Sequence, residues 1–253
     1  MSVLLAGPWN AEFGWELMTW IPAIRHLSQK YDKTVIVCRE GHEYLYQDFA
    51  DDFEIHTRRG RGDRWLYEGK LQRMPKRLLK KYKGAKIITP TPSICMKAGR
   101  KFFQYGTPRR TGYDILIHAR SETKYGQQRF NWPVQNYVKV LEKLGNPKAA
   151  SIGTKAYHIP GTKDLRGIDM AALCDYMAAS RILIGPSSGA MHLGALCNCP
   201  LLVWTGREKQ KIIKTTNAGR YKKLWNPFGT PVTVLDQEGW RPSVHLVVKA
   251  LKS

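Results

Sequence analysis

Short apolar runs alternate with segments of helical periodicity along most of the chain. In the first part, strands are predicted at residues 3–6, 33–38 and 53–56, with a helix over residues 15–27 between the first two. A strand, helix, strand order of this kind indicates a parallel sheet with crossover helices. The chain is therefore predicted to adopt an α/β fold.

A second α/β series begins after a Pro/Gly-containing segment at residues 107–113. Its strands are predicted at residues 114–120, 149–153 and 200–204. We expect two Rossmann-like domains, residues 1–110 and 111–253, that face a central cleft, with the last helix packed back on the first domain. In such folds ligands bind at the carboxyl ends of the strands.

Positive charge is concentrated in one part of the sequence. Lys and Arg number 41 against 20 Asp and Glu, a formal net charge of +21. Residues 57–110, called the basic block below, contain 17 Lys or Arg and only two acids, Asp63 and Glu68. Such an imbalance favours a polyanionic partner, namely nucleic acid, an anionic membrane or an acidic glycan.

Other features of the sequence bear on the cellular compartment. No apolar run approaches the roughly 20 residues of a membrane-spanning helix, so no stable membrane insertion is expected. The start, MSVLLAGPWN, has neither a basic leader nor a long apolar segment, so no signal peptide is predicted. The five cysteines are odd in number and scattered, which is typical of a reduced, cytoplasmic protein. The sequence leaves the oligomeric state open, and a monomer is compatible with it.

Residues 182–206, ILIGPSSGAMHLGALCNCPLLVWTG, place a turn of small residues between a predicted strand and a helix. The first-turn N–H groups of a helix lack partners within it, and the helix dipole favours negative charge there. The segment therefore predicts a binding site for an anionic group. The alternative is a tight turn with a capping serine.

The same segment resembles the donor-binding motif of the heptosyltransferase-type family of GT-B glycosyltransferases. Residues 169–185 resemble the helix and strand that lead into that motif, and residues 130–133, Phe-Asn-Trp-Pro, resemble the family's Trp-Pro. The resemblance covers residues 114–206 and extends weakly into the first half. It departs from the family at Ser187, where an acidic residue is expected, and at Phe130, where a basic one is expected.

The resemblance implies a GT-B fold, a nucleotide diphosphate sugar as donor, and an inverting transfer. It implies donor contacts from two groups of residues. They are Gly185, Ser187, Ser188, Gly189 and His192 of the motif, and the loop cations Arg120, Lys124 and Arg129. The sequence has no DxD motif, which agrees with a reaction that needs no metal and no cofactor.

A second candidate site follows the first strand. The family resembled places a catalytic carboxylate at the opening of the first helix, six residues before a proline. Glu16 has that spacing to Pro22, and Glu12 in the preceding loop is the alternative. Either would act as general base on the acceptor hydroxyl. A first-turn acid that favours the helix dipole would explain both without catalysis.

The basic block interleaves cations with aromatic residues, a combination that suits phosphates and stacked bases. The residues predicted to bind the acceptor are Arg58, Arg59, Arg61, Arg64, Trp65, Lys76, Arg77, Lys80, Lys81, Arg100 and Lys101. We expect a DNA glycosyltransferase acting on a hydroxymethylated pyrimidine, or on a sugar already attached to it, as in bacteriophage genome modification. Its location would then be the host cytoplasm.

Two other functions remain open at this point. One is a transferase that builds lipopolysaccharide or another surface glycan, because its acceptor is also anionic. The other is a non-catalytic nucleic-acid-binding protein on a transferase fold, which the departures at Ser187 and Phe130 favour and the presence of both Glu12 and Glu16 disfavours.

Overall fold

The computed structural model describes residues 1–57, 73–121, 130–209 and 214–253. The chain divides into two compact units, Met1–Phe103 and Gln104–Ser253. The boundary predicted from the sequence lies a little further along the chain, after residue 110.

Unit 1 contains a parallel sheet with the strand order β3-β2-β1-β4. Its strands are β1 (Val3–Ala6), β2 (Lys33–Arg39), β3 (Asp52–His56) and β4 (Lys86–Ile88). Short helices accompany it: the 3-10 helix Glu43–Leu45, α3 (Lys76–Lys81) and α4 (Pro92–Lys97), with α1 and α2 described next. β1 and β2 are apolar and almost fully buried, which is typical of central strands in a parallel sheet.

The helical segment after β1 contains a π-helical stretch. It runs through α1 (Phe13–Trp15), the π-helix Glu16–Trp20 and α2 (Ile21–Ser28). Pro22 lies inside this segment, where a proline has no N–H to donate and clashes with the carbonyl four residues earlier. The wider π-turn, closed by the Ile21 N–H to the Glu16 carbonyl, brings the chain past that position.

Unit 2 contains a six-stranded sheet with the order β12-β11-β10-β5-β7-β9, parallel throughout. Its strands are β5 (Ile115–Ile117), β7 (Ala149–Ile152), β9 (Lys163–Leu165), β10 (Leu183–Pro186), β11 (Leu201–Trp204) and β12 (Val232–Leu235). β6 (Ala119–Arg120) pairs antiparallel with β8 (Ala156–Tyr157). The helices are α5 (Val134–Lys143), α6 (Met170–Ala179), α7 (Gly189–Leu196), α8 (Asn217–Lys223) and α9 (Val244–Lys252).

An aromatic cluster fills the core of unit 2. The rings of Trp132, Tyr137 and Trp204 lie within 4.7–5.7 Å of one another, and all three side chains are buried. The indole N–H of Trp132 donates to the Pro242 carbonyl at 2.8 Å, which ties the start of α9 to this core. Val247 of α9 is buried in the same cluster. None of the helices in the described part of the chain has the length and apolar character of a bilayer span.

Candidate functional site

The Glu16 carboxylate is enclosed by three donors from the segment around the carboxyl end of β2. Tyr46 Oη donates to Oε1 at 2.7 Å, and Arg39 Nη2 donates to Oε2 at 2.7 Å. His42 Nδ1 lies 3.1 Å from the same Oε2. Glu16 itself has no solvent-exposed surface. We call these four side chains the Glu16 cluster.

The Glu16 cluster holds its carboxylate in the ionised form. Burial alone would raise the pKa of Glu16, but the charges of His42 and Arg39, with hydrogen bonds from His42 and Tyr46, lower this pKa to about 2. Burial and the negative charge of Glu16 raise the pKa of Tyr46 well above its usual value, so the phenol stays a donor. The cluster is therefore a satisfied ion pair with two further hydrogen bonds.

Glu12, the alternative carboxylate, lies in the loop between β1 and α1. It precedes α1, its side chain is half-buried, and its carbonyl accepts from the Trp9 indole at 3.2 Å and from the Glu16 N–H at 3.1 Å. The loop passes close over β2, because a Cβ at Gly7 would lie 2.3 Å from the Val37 carbonyl oxygen. Glu12 is more exposed than Glu16.

The segment predicted to bind the donor forms the end of β10 and the start of α7. Ser188 directly precedes α7 in an extended conformation, and its side chain makes no capping bond. Its Oγ lies 3.1 Å from His118 Nδ1 instead. The first-turn amides of α7 therefore receive no side-chain cap among the described residues, and the alternative of a capping serine is not what the structure contains.

A close approach of two chain segments builds this turn. A Cβ at Gly185 would lie 2.8 Å from the His118 carbonyl oxygen, so this position requires glycine. Burial and the charge of Arg120 lower the pKa of His118 to about 4, so the imidazole is neutral near neutral pH. The N–H of Ser187 donates to the Trp204 carbonyl at 2.9 Å, and its side chain is buried.

His192 lies one turn into α7, within an aromatic cluster. Its ring centroid lies 4.3 Å from that of Trp225 and 5.5 Å from that of Tyr221. Burial and the charge of Arg220 lower the pKa of His192 to about 3. Its Nδ1 is buried without a hydrogen-bond partner among the described residues. The structure thus brings Gly185, Ser187, Ser188, Gly189 and His192 together around the start of one helix.

Of the three predicted loop cations, Arg120 lies within the described residues. Its guanidinium lies 5.4 Å from the centroid of the Phe130 ring, which in turn packs on Trp240 at 4.4 Å. The ring at the position where the family has a basic residue therefore contacts a cation from β6. Lys124 and Arg129 lie outside the described residues.

The basic block is described only in part. Arg58, Arg59, Arg61, Arg64 and Trp65 lie outside the described residues. α3 carries Lys76, Arg77, Lys80 and Lys81, all exposed.

Within α3, Arg77 and Lys81 contact the buried Glu54 of β3 at 3.3 and 2.6 Å. Arg100 is half-buried and donates to the Cys95 carbonyl at 3.0 Å, whereas Lys101 is exposed. Arg77, Lys81 and Arg100, which were predicted to bind the acceptor, thus also contact groups within the protein.

Sequence reasoning missed Arg39, His42 and Tyr46 in unit 1, and His118 in unit 2. A usable signal existed for both histidines, because His42 follows a predicted strand and His118 lies near the carboxyl end of one, where functional side chains of parallel sheets gather. The described residues contain no group of three or more His, Cys, Asp or Glu arranged to hold a metal ion.

Comparison with known proteins establishes the fold. No protein-family model matches the chain, and no curated protein matches its sequence. Solved structures match over nearly the whole chain. Escherichia coli ADP-heptose lipopolysaccharide heptosyltransferase II has a TM-score of 0.60 at 14% identity, covering 100% of this chain and 98% of its own.

A family 9 glycosyltransferase from Veillonella parvula gives 0.61 at 12% identity, covering 99% and 96%. Escherichia coli heptosyltransferase WaaC with ADP gives 0.52 at 9% identity, covering 100% and 99%. The predicted fold class, α/β of GT-B type, is confirmed.

Proposed function

We propose that this protein is a glycosyltransferase that moves a sugar from a nucleotide diphosphate to an acceptor hydroxyl. The observation that carries the proposal is the start of α7, where the amides lack a side-chain cap and the Ser188 hydroxyl is oriented by His118. Amides at a helix N-terminus bind phosphate readily. The similar WaaC structure contains ADP, whose diphosphate is the kind of group that such a helix N-terminus would bind.

In the proposed reaction the α7 amides receive the diphosphate of the donor. Ser187, Ser188 and His192 lie around it, with Arg120, Lys124 and Arg129 as the sources of positive charge. These groups would stabilise the negative charge that develops on the leaving diphosphate, and such preorganised donors commonly account for the largest part of catalysis. We therefore propose a transfer that needs neither a metal ion nor another cofactor.

We propose an inverting displacement at the anomeric carbon. The sequence offers Glu16 and Glu12 as carboxylates for the proton transfer. The Glu16 carboxylate has no exposed surface and contacts three side-chain donors. We therefore propose that Glu16 acts on the reaction through the residues that it contacts. Glu12 is half-buried and therefore keeps more exposed surface than Glu16.

For the acceptor, we propose DNA that carries a hydroxymethylated pyrimidine, or a sugar on such a base. The support is the formal net charge of +21 and its concentration in the basic block. Among the described residues, Lys76 and Lys80 of α3 are exposed without a salt bridge, and cations of this kind neutralise phosphates. Transfer to a base in a duplex requires that the base be flipped out, at a cost of a few kcal/mol.

A surface glycan is the second candidate acceptor. Heptosyltransferase II, whose name specifies lipopolysaccharide, is similar to this chain over its whole length. A lipopolysaccharide core is also anionic, so the basic block would serve it as well.

One experiment separates these acceptors. The protein is incubated with a panel of nucleotide sugars and with hydroxymethylated DNA, unmodified DNA or a lipopolysaccharide core acceptor, and release of nucleoside diphosphate is measured with product mass. Release only with hydroxymethylated DNA supports the DNA proposal, and release only with the glycan supports the second candidate. Salt-sensitive DNA binding without release from any donor contradicts both, and matches the non-catalytic binding protein.

A matched pair of charge variants tests the role of α3. The double variant Lys76→Glu/Lys80→Glu is compared with Lys139→Glu/Lys249→Glu, which makes the same change at exposed positions of unit 2. We expect DNA-dependent turnover to fall in the first variant. The remaining turnover should depend less on salt concentration than that of the wild-type protein, because fewer phosphates are neutralised. Equal effects of the two variants would show that only net charge matters.

A further inference from the structure

His42 and Arg39 are the two members of the Glu16 cluster with clear solvent-accessible surface, 17% and 26% of the side chain, and His42 is the one of the two that can accept a proton. It follows the carboxyl end of β2, and 17% of its side-chain surface is accessible, against 0% for Glu16. Its Nδ1 contacts Glu16 Oε2 at 3.1 Å, and its ring packs edge-on against Phe13 with 5.3 Å between centroids. His42 is therefore held in one orientation from two sides and is still accessible to a substrate.

Glu16 is poorly placed to receive a proton from a substrate. A general base must come within hydrogen-bond reach of the proton that it takes. Both oxygens of Glu16 already contact donors at 2.7–3.1 Å, and neither is accessible. A substrate hydroxyl would have to displace Tyr46, Arg39 or His42 to reach it.

The state of Glu16 determines the tautomer of His42. Arg39 and Tyr46 donate to Glu16 whether or not His42 is charged, and both lower its pKa, so the carboxylate is ionised near neutral pH and can only accept hydrogen bonds. Neutral His42 must then carry its proton on Nδ1, and Nε2 keeps its lone pair. Within the described residues no hydrogen bond occupies Nε2. Glu16, the carboxylate in contact with His42, is also ion-paired with Arg39.

We propose that His42 is the general base of the transfer and that Glu16 is a positioning residue that acts through it. This inference rests on the proposed glycosyltransferase function. The acceptor oxygen forms a bond to the anomeric carbon of the donor, and the bond from that carbon to the diphosphate oxygen breaks, with its electron pair leaving on the nucleoside diphosphate. The hydroxyl proton passes to His42 Nε2, and the imidazolium is stabilised by Glu16 until it releases the proton to water.

The geometry is that of a carboxylate–histidine pair, in which the carboxylate orients the imidazole and stabilises its protonated form. Glu12 remains the rival base, because it is half-buried rather than enclosed. The two assignments differ in which small molecule can replace the missing group, imidazole for His42 and formate for Glu12.

The test is chemical rescue. Donor turnover is measured for the wild-type protein and for His42→Ala, Glu12→Ala, Glu16→Gln and the matched control His245→Ala, an exposed histidine of α9. For His42→Ala we expect kcat to fall by about 10²- to 10⁴-fold, and to recover with added imidazole in proportion to its neutral form. Binding of the nucleoside diphosphate, measured by calorimetry, and the melting temperature verify that the variants are folded.

For Glu16→Gln we expect a lower kcat with unchanged nucleoside diphosphate binding, because the orientation of His42 is lost. Full activity of His42→Ala, or formate rescue of Glu12→Ala alone, overturns the assignment of His42 while the proposed function stands. Absence of turnover in the wild-type protein with every donor and acceptor overturns the proposed function and the assignment of His42 together.

Discussion

The two units differ in the source of the negative charge that their polar groups can contact. In unit 1 the anion is part of the chain: the Glu16 carboxylate is buried and contacts Tyr46, Arg39 and His42. In unit 2 the start of α7 has no side-chain cap and Ser188 contacts His118 instead. A satisfied buried charge organises its neighbours, whereas unpaired amides at a helix start are suited to an anion from outside.

The largest expected effect is the loss of the Glu16 charge. Glu16→Ala leaves Arg39 without its carboxylate partner, and breaking a buried pair in this way costs about 3–5 kcal/mol. Urea unfolding monitored by tryptophan fluorescence measures the change in the free energy of unfolding. Glu12→Ala is the control, for which we expect a much smaller loss. Equal losses of unfolding free energy in the two variants would mean that the contacts of the Glu16 cluster do not stabilise unit 1 more than those of Glu12.

Acid should destabilise the two units in different pH windows. The pKa values of His192 and His118 fall from 6.5 to about 3 and about 4 on folding. The unfolded state therefore binds more protons below pH 6.5, and the free energy of unfolding decreases as the pH falls, by up to about 1.4 kcal/mol per pH unit for each histidine. Glu16, lowered from 4.5 to about 2, adds a loss only below pH 4.5.

Unfolding curves at several pH values between 7 and 4.5 check this ordering. His192→Gln should flatten the decline between pH 6.5 and 4.5, because one of the two unit 2 histidines with a lowered pKa no longer titrates. A decline that begins only below pH 4.5 would contradict the role of the unit 2 histidines.

The amides of α7 can be tested with a proline. Gly189 is the first residue of the helix, a position where proline fits and removes only an N–H that has no helical partner. We expect Gly189→Pro to weaken nucleoside diphosphate binding by about 10- to 100-fold, since a hydrogen bond to a charged group contributes about 1.5–3 kcal/mol. Isothermal calorimetry gives the Kd.

The matched control is Met170→Pro at the first position of α6, where Asp169 caps the helix through the Ala172 N–H at 2.8 Å. Both variants lose one first-turn amide of unit 2. If Met170→Pro weakens binding as much as Gly189→Pro, the α7 terminus is not the anion seat.

The smallest effect is expected at a carboxylate whose partners are exposed. Glu54 contacts Arg77 and Lys81, whose side chains are 65% and 59% accessible. Exposed ion pairs contribute about 0.2–1 kcal/mol, so Arg77→Ala should change the free energy of unfolding by no more than that. A loss as large as that of Glu16→Ala would show that the number of partners, rather than burial, sets the strength of the Glu16 cluster.

Much of the fold was predictable from local sequence patterns. The predicted strands at residues 33–38 and 149–153 correspond to β2 and β7, and the predicted helix at 15–27 corresponds to the helical segment from α1 to α2. The spacing of apolar residues depends on which face of a helix or strand is buried, so these elements can be predicted from a single sequence. Shorter or more polar elements such as α8 and β12 were not predicted, since their periodicity is weak.

The candidate sites were predictable to different degrees. The predicted donor motif is contiguous, so the turn from Gly185 to the start of the helix was predictable from a short window of sequence. His118 joins that turn from a strand far away in the sequence, through its contact with Ser188. The residues around Glu16 come from 23 to 30 positions further along, which no spacing rule indicates.

The alternating α/β order, the small-residue turn after β10 and the excess of cations were determined by the sequence alone, because each depends on residue types within a short window or on simple counts. Only the tertiary structure decided that Glu16 is enclosed, that His42 contacts it and keeps accessible surface, and that Ser188 contacts His118 rather than capping α7. Burial and hydrogen-bond partners depend on side chains brought together from distant positions. The role of a polar side chain therefore depends on the neighbours that the fold places around it.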